Sequence, residues 1–202
     1  MQNSSIKPKS DLLKLSVTLF LIAGIMALLV AFINNVTEPV IKQRNDQQIS
    51  DALKTVVPDA ETFSVYKLDI TSVKSSDGKD VAVEGAWRAY KGSEEIGVCV
   101  KVAPQGYGGP IEMIVGVSSD GKIIDAEIVS MSETSGIGTK IQEENFLSQF
   151  VGKTKGITIS SSSSENSVQV VSGATKSSKA YIRGMNAALD VANKVLGGAD
   201  DD

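Results

Sequence analysis

The sequence predicts an α+β chain: one N-terminal transmembrane helix, then a domain of antiparallel β-hairpins flanked by helices. Three observations predict it. Nineteen consecutive residues, Leu15 to Ile33, carry no charge. Four runs rich in β-branched and aromatic residues lie between residues 87 and 130, separated by turn formers. Apolar residues recur at helical spacing from Tyr181 to Val195. The expected division is an N-terminus at 1–14, a membrane anchor at 15–34, a juxtamembrane helix at 35–60, a globular domain at 61–198 and an acidic tail at 199–202.

The anchor comes first. As a helix, Leu15 to Ile33 spans about 28 Å at roughly 1.5 Å per residue, enough to cross a bilayer. A cleaved signal peptide would have a shorter apolar stretch followed by small residues, whereas this one ends in Phe32-Ile33-Asn34-Asn35. Lys7, Lys9 and Lys14 precede the span with only Asp11 to offset them. That bias places the N-terminus in the cytoplasm and the domain on the extracytoplasmic face.

The rest of the chain has room for one domain. With 202 residues and 42% hydrophobic composition, it can bury a single core beyond the anchor. A net charge of -4 without a basic patch argues against nucleic acid as a partner. There is no histidine, which excludes Ser-His and Cys-His nucleophiles and His-ligated zinc or haem. The single cysteine, Cys99, can neither form an internal disulfide nor hold an iron-sulfur cluster, and its alternating surroundings predict a packing role. Redox chemistry in this chain therefore requires an organic cofactor.

After the anchor, Pro39 suits the first turn of a new helix, and Ile49, Ala52, Leu53 and Val56 form one apolar face before Pro58. Strands follow at Trp87 to Tyr90, Ile96 to Val102, Ile111 to Val117 and Lys122 to Ser130, with turns at Gly92-Ser93 and Ser119-Asp120-Gly121. The stretch Gly106-Tyr107-Gly108-Gly109-Pro110 reads as a tight turn or as backbone shaped for close approach by a ligand.

MSETSGIGTK, residues 131 to 140, precedes a helical stretch that Thr139 can cap, with Ile141, Phe146, Leu147 and Phe150 as its apolar positions. Glu143 and Glu144 fall in its first turn as a solvated, dipole-matched pair. In the loop, Glu133, Thr134, Gly136 and Gly138 offer a carboxylate, a hydroxyl and exposed amides to the edge of a heterocycle. A short strand after Gly152, an exposed serine run at 160–164 and a strand at Ser167 to Val171 lead to Ser172-Gly173-Ala174-Thr175. Tyr181, Met185, Ala188, Leu189, Ala192 and Val195 then mark the last helix, which Gly197-Gly198 stops. Thr175 sits at its start. Either Thr175 or Ser172 caps that helix, or the helix amides receive a phosphate. A Walker loop is excluded, because Lys176 follows Thr175 rather than glycine.

The order GYGG, ETSGIGTK, SGAT and KSS, behind one N-terminal span, resembles the FMN-binding G component of the Rnf electron-transport complex. The C component of the sodium-pumping NADH:quinone oxidoreductase shares the domain. The compact length and the KSS after SGAT favour the Rnf member over the quinone-reductase component; a stand-alone anchored extracytoplasmic flavin-binding module is the other reading. The resemblance implies that Thr175 is joined to FMN by a phosphoester installed by a flavin transferase. Ser172, Gly173 and Ala174 would form the turn presenting it. Glu133, Thr134, Gly136, Ile137 and Gly138 would lie against the flavin ring, with Tyr107 as a further contact. It also implies the other membrane subunits of the Rnf complex as partners, and relay of electrons between ferredoxin and NAD. Three positions depart from the usual pattern: Met131 replaces a histidine, Ser135 a proline and Gln169 an aspartate.

Overall fold

The computed structural model describes residues 8–160 and 166–197. Residues 1–7, Ser161 to Ser164 of the serine run, Gly198 and the acidic tail at 199–202 lie outside the described residues. The chain divides into two compact units between Gln47 and Gln48.

Helix α1 runs unbroken over Pro8–Val56, with Pro39 inside it. A second helix does not begin at Pro39, because residues 34 to 38 stay helical and leave no end for the proline to start from. The cost is one missing N–H and crowding against the preceding turn, about 3 kcal/mol, carried as a local break in a 49-residue ladder. In the first unit the large apolar side chains from Leu12 to Ile41 are exposed, and the helix is long and apolar enough to cross a membrane.

The second unit is built on a sheet of six strands: β1 Thr62–Tyr66, β2 Ser72–Lys74, β3 Asp80–Lys91, β4 Glu94–Ala103, β5 Ile111–Ser118 and β6 Ile123–Met131. The order is β1-β3-β4-β5-β6, all antiparallel, with β2 pairing the other part of β3. The four sequence runs fall on β3 to β6, with Lys122 left in the turn before β6. The Gly92 and Gly121 turns close β3 to β4 and β5 to β6, both glycines in the left-handed region. The short strands β1 and β2 carry no comparable pattern.

Both faces of this sheet are covered. Val98, Val100 and Val102 of β4 and Met113, Val115 and Val117 of β5 pack against Tyr181, Met185 and Leu189 of helix α3, Thr175–Gly197. On the opposite face Ala52, Leu53 and Val56, from the end of α1, cover Ala89, Cys99 and Ile114. Gly116 faces the Val56 carbonyl so closely that a Cβ would lie 2.5 Å from it. Cys99 is fully buried there, and burial pushes its thiol up to about 12. The expected packing role is what it has.

Between β6 and α3 the chain forms a 3-10 turn at Gly138–Gln142, the one-turn helix α2 at Glu144–Leu147 and a second 3-10 turn at Ser148–Phe150. The single helix capped by Thr139 is not formed. Thr139 Oγ1 instead accepts the Gly136 amide at 2.9 Å, and Glu143 becomes the N-cap residue of α2. Ile141, Phe146 and Phe150 are buried as expected, Phe146 and Phe150 edge-to-face with each other and with Tyr181. Strands β7 Thr158–Ile159 and β8 Ser167–Val168 pair in parallel and return the chain to α3.

Candidate functional site

Three loops converge at the start of α3. Gly173 adopts φ +81 with open space around its missing Cβ, so the requirement there is conformational. It turns the chain so that Ala174 N–H donates to Val171 O at 3.0 Å, while Ala174 O receives the first helical bond, from Ser178 N–H at 2.9 Å. Ala174 is therefore the N-cap residue, and alanine has no side chain with which to cap.

The consequence is an open helix end. Among the described residues, the amides of Thr175, Lys176 and Ser177 have no acceptor, and the hydroxyls of Ser172 and Thr175 have no partner. Capping by either hydroxyl, one of the two uses open in the sequence, is absent. Three free N–H groups at the positive end of a 23-residue helix make an anion-favouring surface.

The loop after β6 closes against this end. Thr134 O accepts from Ile137 N–H at 3.2 Å and Gly138 N–H at 2.8 Å, folding residues 134 to 138 into a tight turn. Glu133 points inward: its Oε1 accepts from the Tyr107 amide at 2.7 Å and its Oε2 from Ser177 Oγ at 2.9 Å. Its carboxylate is thus occupied in joining three segments. The Gly106 amide donates to Gly109 O at 2.8 Å, so the GYGG stretch is a tight turn between β4 and β5. Its glycines make room for protein rather than ligand, since a Cβ on Gly106 would collide with Glu133 Oε1 and one on Gly108 with the Ser132 carbonyl.

Between these loops lies a cleft of about 330 Å³, within the range of small-molecule sites. Tyr107, Glu133, Thr134, Ile137, Gly138, Gly173, Ala174 and Thr175 all line it. Gly136 and Ser172 do not: the Gly136 amide is turned back to Thr139, and Ser172 stands one residue outside. Tyr107 and Ile137 are 64% and 51% exposed, giving an apolar pair at the mouth. Thr175 is exposed, Ala174 and Ser177 buried. Lys176 and Ser177 complete the lining, although nothing in their spacing singled them out. A signal for them existed all the same, because the second and third residues of a helix that starts at Thr175 share its open end.

The cleft suits a ligand with one flat apolar part and one anionic end. The FMN-binding domain family matches residues 106–190, and the RnfG N-terminal region matches residues 1–56. The G component of the proton-translocating ferredoxin:NAD+ oxidoreductase complex of Clostridium ljungdahlii is 30% identical over 194 residues, 95% of this chain and 97% of that one. The chain belongs to the RnfG family of ion-translocating oxidoreductase complexes. The G component of the Na+-translocating ferredoxin:NAD+ oxidoreductase complex of Acetobacterium woodii is 32% identical over 190 residues, 88% of this chain and 90% of its own. Among solved structures, the C component of the Na+-translocating NADH-quinone reductase of Parabacteroides distasonis shares the fold, with a TM-score of 0.50 and 17% identity over 79% of this chain and 94% of that one. As an RnfG protein, the chain is one member of a larger assembly and is membrane-associated, with one N-terminal helix long and apolar enough to cross a membrane.

The residues present fit FMN. Three unclaimed amides and the Lys176 ammonium meet the charge of a phosphate, and Tyr107 and Ile137 offer apolar surface to a ring.

Proposed function

We propose that this protein relays electrons within an ion-translocating ferredoxin:NAD oxidoreductase complex through FMN held covalently on Thr175. One observation carries the reading: Thr175 presents an unpartnered hydroxyl at the mouth of the cleft, on the first turn of a helix whose leading amides are free. In the product the threonine O–H is replaced by an O–P bond, with net loss of one water from threonine and FMN. A separate flavin transferase makes that bond. The cleft itself offers no histidine or cysteine to do so.

Physical reasons favour a covalent link. An anion at a helix end gains about 0.3 to 2 kcal/mol, whereas a micromolar complex requires about 8. On the extracytoplasmic side, where free flavin is scarce, a site of that strength empties. Bound FMN supplies one- and two-electron chemistry. The chain's residues would do the holding: the amides of residues 175 to 177 and Lys176 would face the phosphodiester, Tyr107 and Ile137 would flank the ring, and Thr134 and Gly138 would line its edge, while Gly136, expected there from the sequence, is turned back to Thr139. Glu133 acts through the loops it joins.

The division along the chain follows. Residues 1–14 lie in the cytoplasm, 15–34 cross the membrane, and 35–60, helical as far as Val56, lead into an extracytoplasmic FMN-binding domain at 61–198, with the tail at 199–202. The other membrane subunits of the assembly are its partners.

The test is flavin fluorescence in a denaturing gel after co-expression with a flavin transferase. The wild-type band is expected to fluoresce and to gain the mass of one FMN less water, and Thr175→Ala to stay dark. Equal fluorescence in the two bands overturns the assignment.

A further inference from the structure

Lys176 is the one cation lining the cleft among the described residues, and it has no carboxylate partner there. The nearby acid, Glu133, already accepts two hydrogen bonds, from the Tyr107 amide and from Ser177. What the ammonium has instead is the face of Tyr107, 5.0 Å from Nζ to the ring centroid. The backbone that carries Tyr107 is anchored in turn, because its amide is held by Glu133. An exposed lysine normally gives up rotamer freedom only for a return, and a cation over an aromatic face supplies a modest one.

We propose that Lys176 is the positioning residue for the anionic end of the flavin: Tyr107 holds its ammonium at the cleft that the open start of the helix also lines, so that the phosphate is met by a pre-placed cation. The inference rests on the reading of the cleft as the FMN site but not on the covalent bond. The helix amides supply direction and partial charge, while the lysine supplies the full unit charge that they lack. Tyr107 then has two uses, the ring as a platform for the lysine and its exposed edge as a wall for the flavin.

The experiment uses the full-length chain in detergent, expressed without a flavin transferase so that Thr175 is unmodified. FMN and riboflavin are titrated separately at low salt, following quenching of flavin fluorescence. The two ligands share the ring and differ in the phosphate, so the ratio of their affinities isolates the anionic end. FMN is expected to bind about tenfold more tightly than riboflavin in the wild type. Lys176→Met brings the ratio to within about twofold with riboflavin affinity unchanged, and Lys176→Arg restores it. Tyr107→Leu weakens the preference severalfold by releasing the lysine. Raising the salt narrows the wild-type ratio. A wild type with no FMN preference, including one that binds neither flavin up to about 1 mM, overturns the proposal, as does a preference that survives in Lys176→Met. Equal fluorescence of wild type and Thr175→Ala in the gel assay, with the lysine-dependent ratio intact here, would remove the covalent link and leave the lysine's role standing.

Discussion

Ser177 and Glu133 are joined by a hydrogen bond of 2.9 Å between side chains 44 residues apart in sequence. The same carboxylate holds the Tyr107 amide at 2.7 Å, so one side chain fixes the β4–β5 turn, the loop after β6 and the open end of α3 to one another. The cleft is the space these three segments leave. Its shape thus depends on a residue that commits both carboxylate oxygens to the protein, and any effect of Glu133 on a bound flavin passes through that geometry.

Removing the Ser177 hydroxyl is expected to loosen the cleft more than it destabilises the domain. Ser177 is 2% exposed and its bond to a carboxylate is charge-assisted, which puts the cost of Ser177→Ala at about 1.5–3 kcal/mol. Chemical denaturation measures that loss. Flavin loading on Thr175 should fall in the same variant under conditions where the domain remains folded. Unchanged loading beside reduced stability would mean that the latch serves the fold alone.

Two glycines in the same loop should respond differently to substitution. Gly136 has φ +75 and open space, so its need is conformational: Gly136→Ala costs about 1 kcal/mol and Gly136→Asn less, since asparagine tolerates the left-handed region. Gly138 has little space, with a Cβ placed 2.7 Å from Glu133 Oε2 and 3.2 Å from Ser177 Oγ. Alanine and asparagine there should both push the latch apart, costing about 1–3 kcal/mol and depressing loading alike. Melting curves of the four variants, with loading measured beside them, check the contrast. Equal rescue by asparagine at both positions would contradict it.

Strands β3 to β6 and helix α3 were legible in the sequence because their periodicities reflect burial, of both faces for the sheet and one for the helix. The glycine loop and SGAT were legible as a place, but not in their internal wiring. Nothing in the spacing shows that Glu133 turns inward, because its partners, the Tyr107 amide and the Ser177 hydroxyl, are set by tertiary contact. Thr139 misled for a related reason. A threonine before apolar residues signals a cap only if a helix long enough to need one follows, and here two 3-10 turns and a four-residue helix take its place. Pro39 misled because proline marks a helix start only where the preceding residues leave the helix.

Lys101 offers a test of stability against pH. It is 6% exposed and bridges Glu84 at 2.7 Å and Glu112 at 2.9 Å across three neighbouring strands. Burial alone would lower its pKa, but hydrogen bonds and charge from the two glutamates outweigh that and raise it above 10.5. A raised lysine pKa contributes stability that is complete below about pH 10.5 and is lost as pH rises through the folded value. Lys101→Met leaves two carboxylates facing each other and should cost about 1–3 kcal/mol at pH 7. The gap between wild type and variant in denaturant unfolding should hold to about pH 10 and narrow beyond it, where the wild type loses the charge. A gap constant to pH 12 would assign the effect to packing.

Gln169 lies three residues before SGAT, at a position where the family resemblance leads one to expect aspartate, and close in sequence to the proposed attachment residue Thr175. Its backbone is anchored, with its N–H donating to Gln149 Oε1 at 2.7 Å and its carbonyl accepting from Gln149 Nε2 at 3.4 Å. The residue itself is exposed. Gln169→Asp therefore leaves the anchoring bonds in place and adds one surface charge, which should move the melting temperature little. If a carboxylate at this position is what the transferase engages, the variant should be flavinylated faster than the wild type at equal transferase concentration, with the same final mass. The initial rate of in-gel fluorescence gain measures this. A Gln169→Asp variant no faster than wild type would mean that the transferase reads the SGAT turn and the open helix end without help from this position.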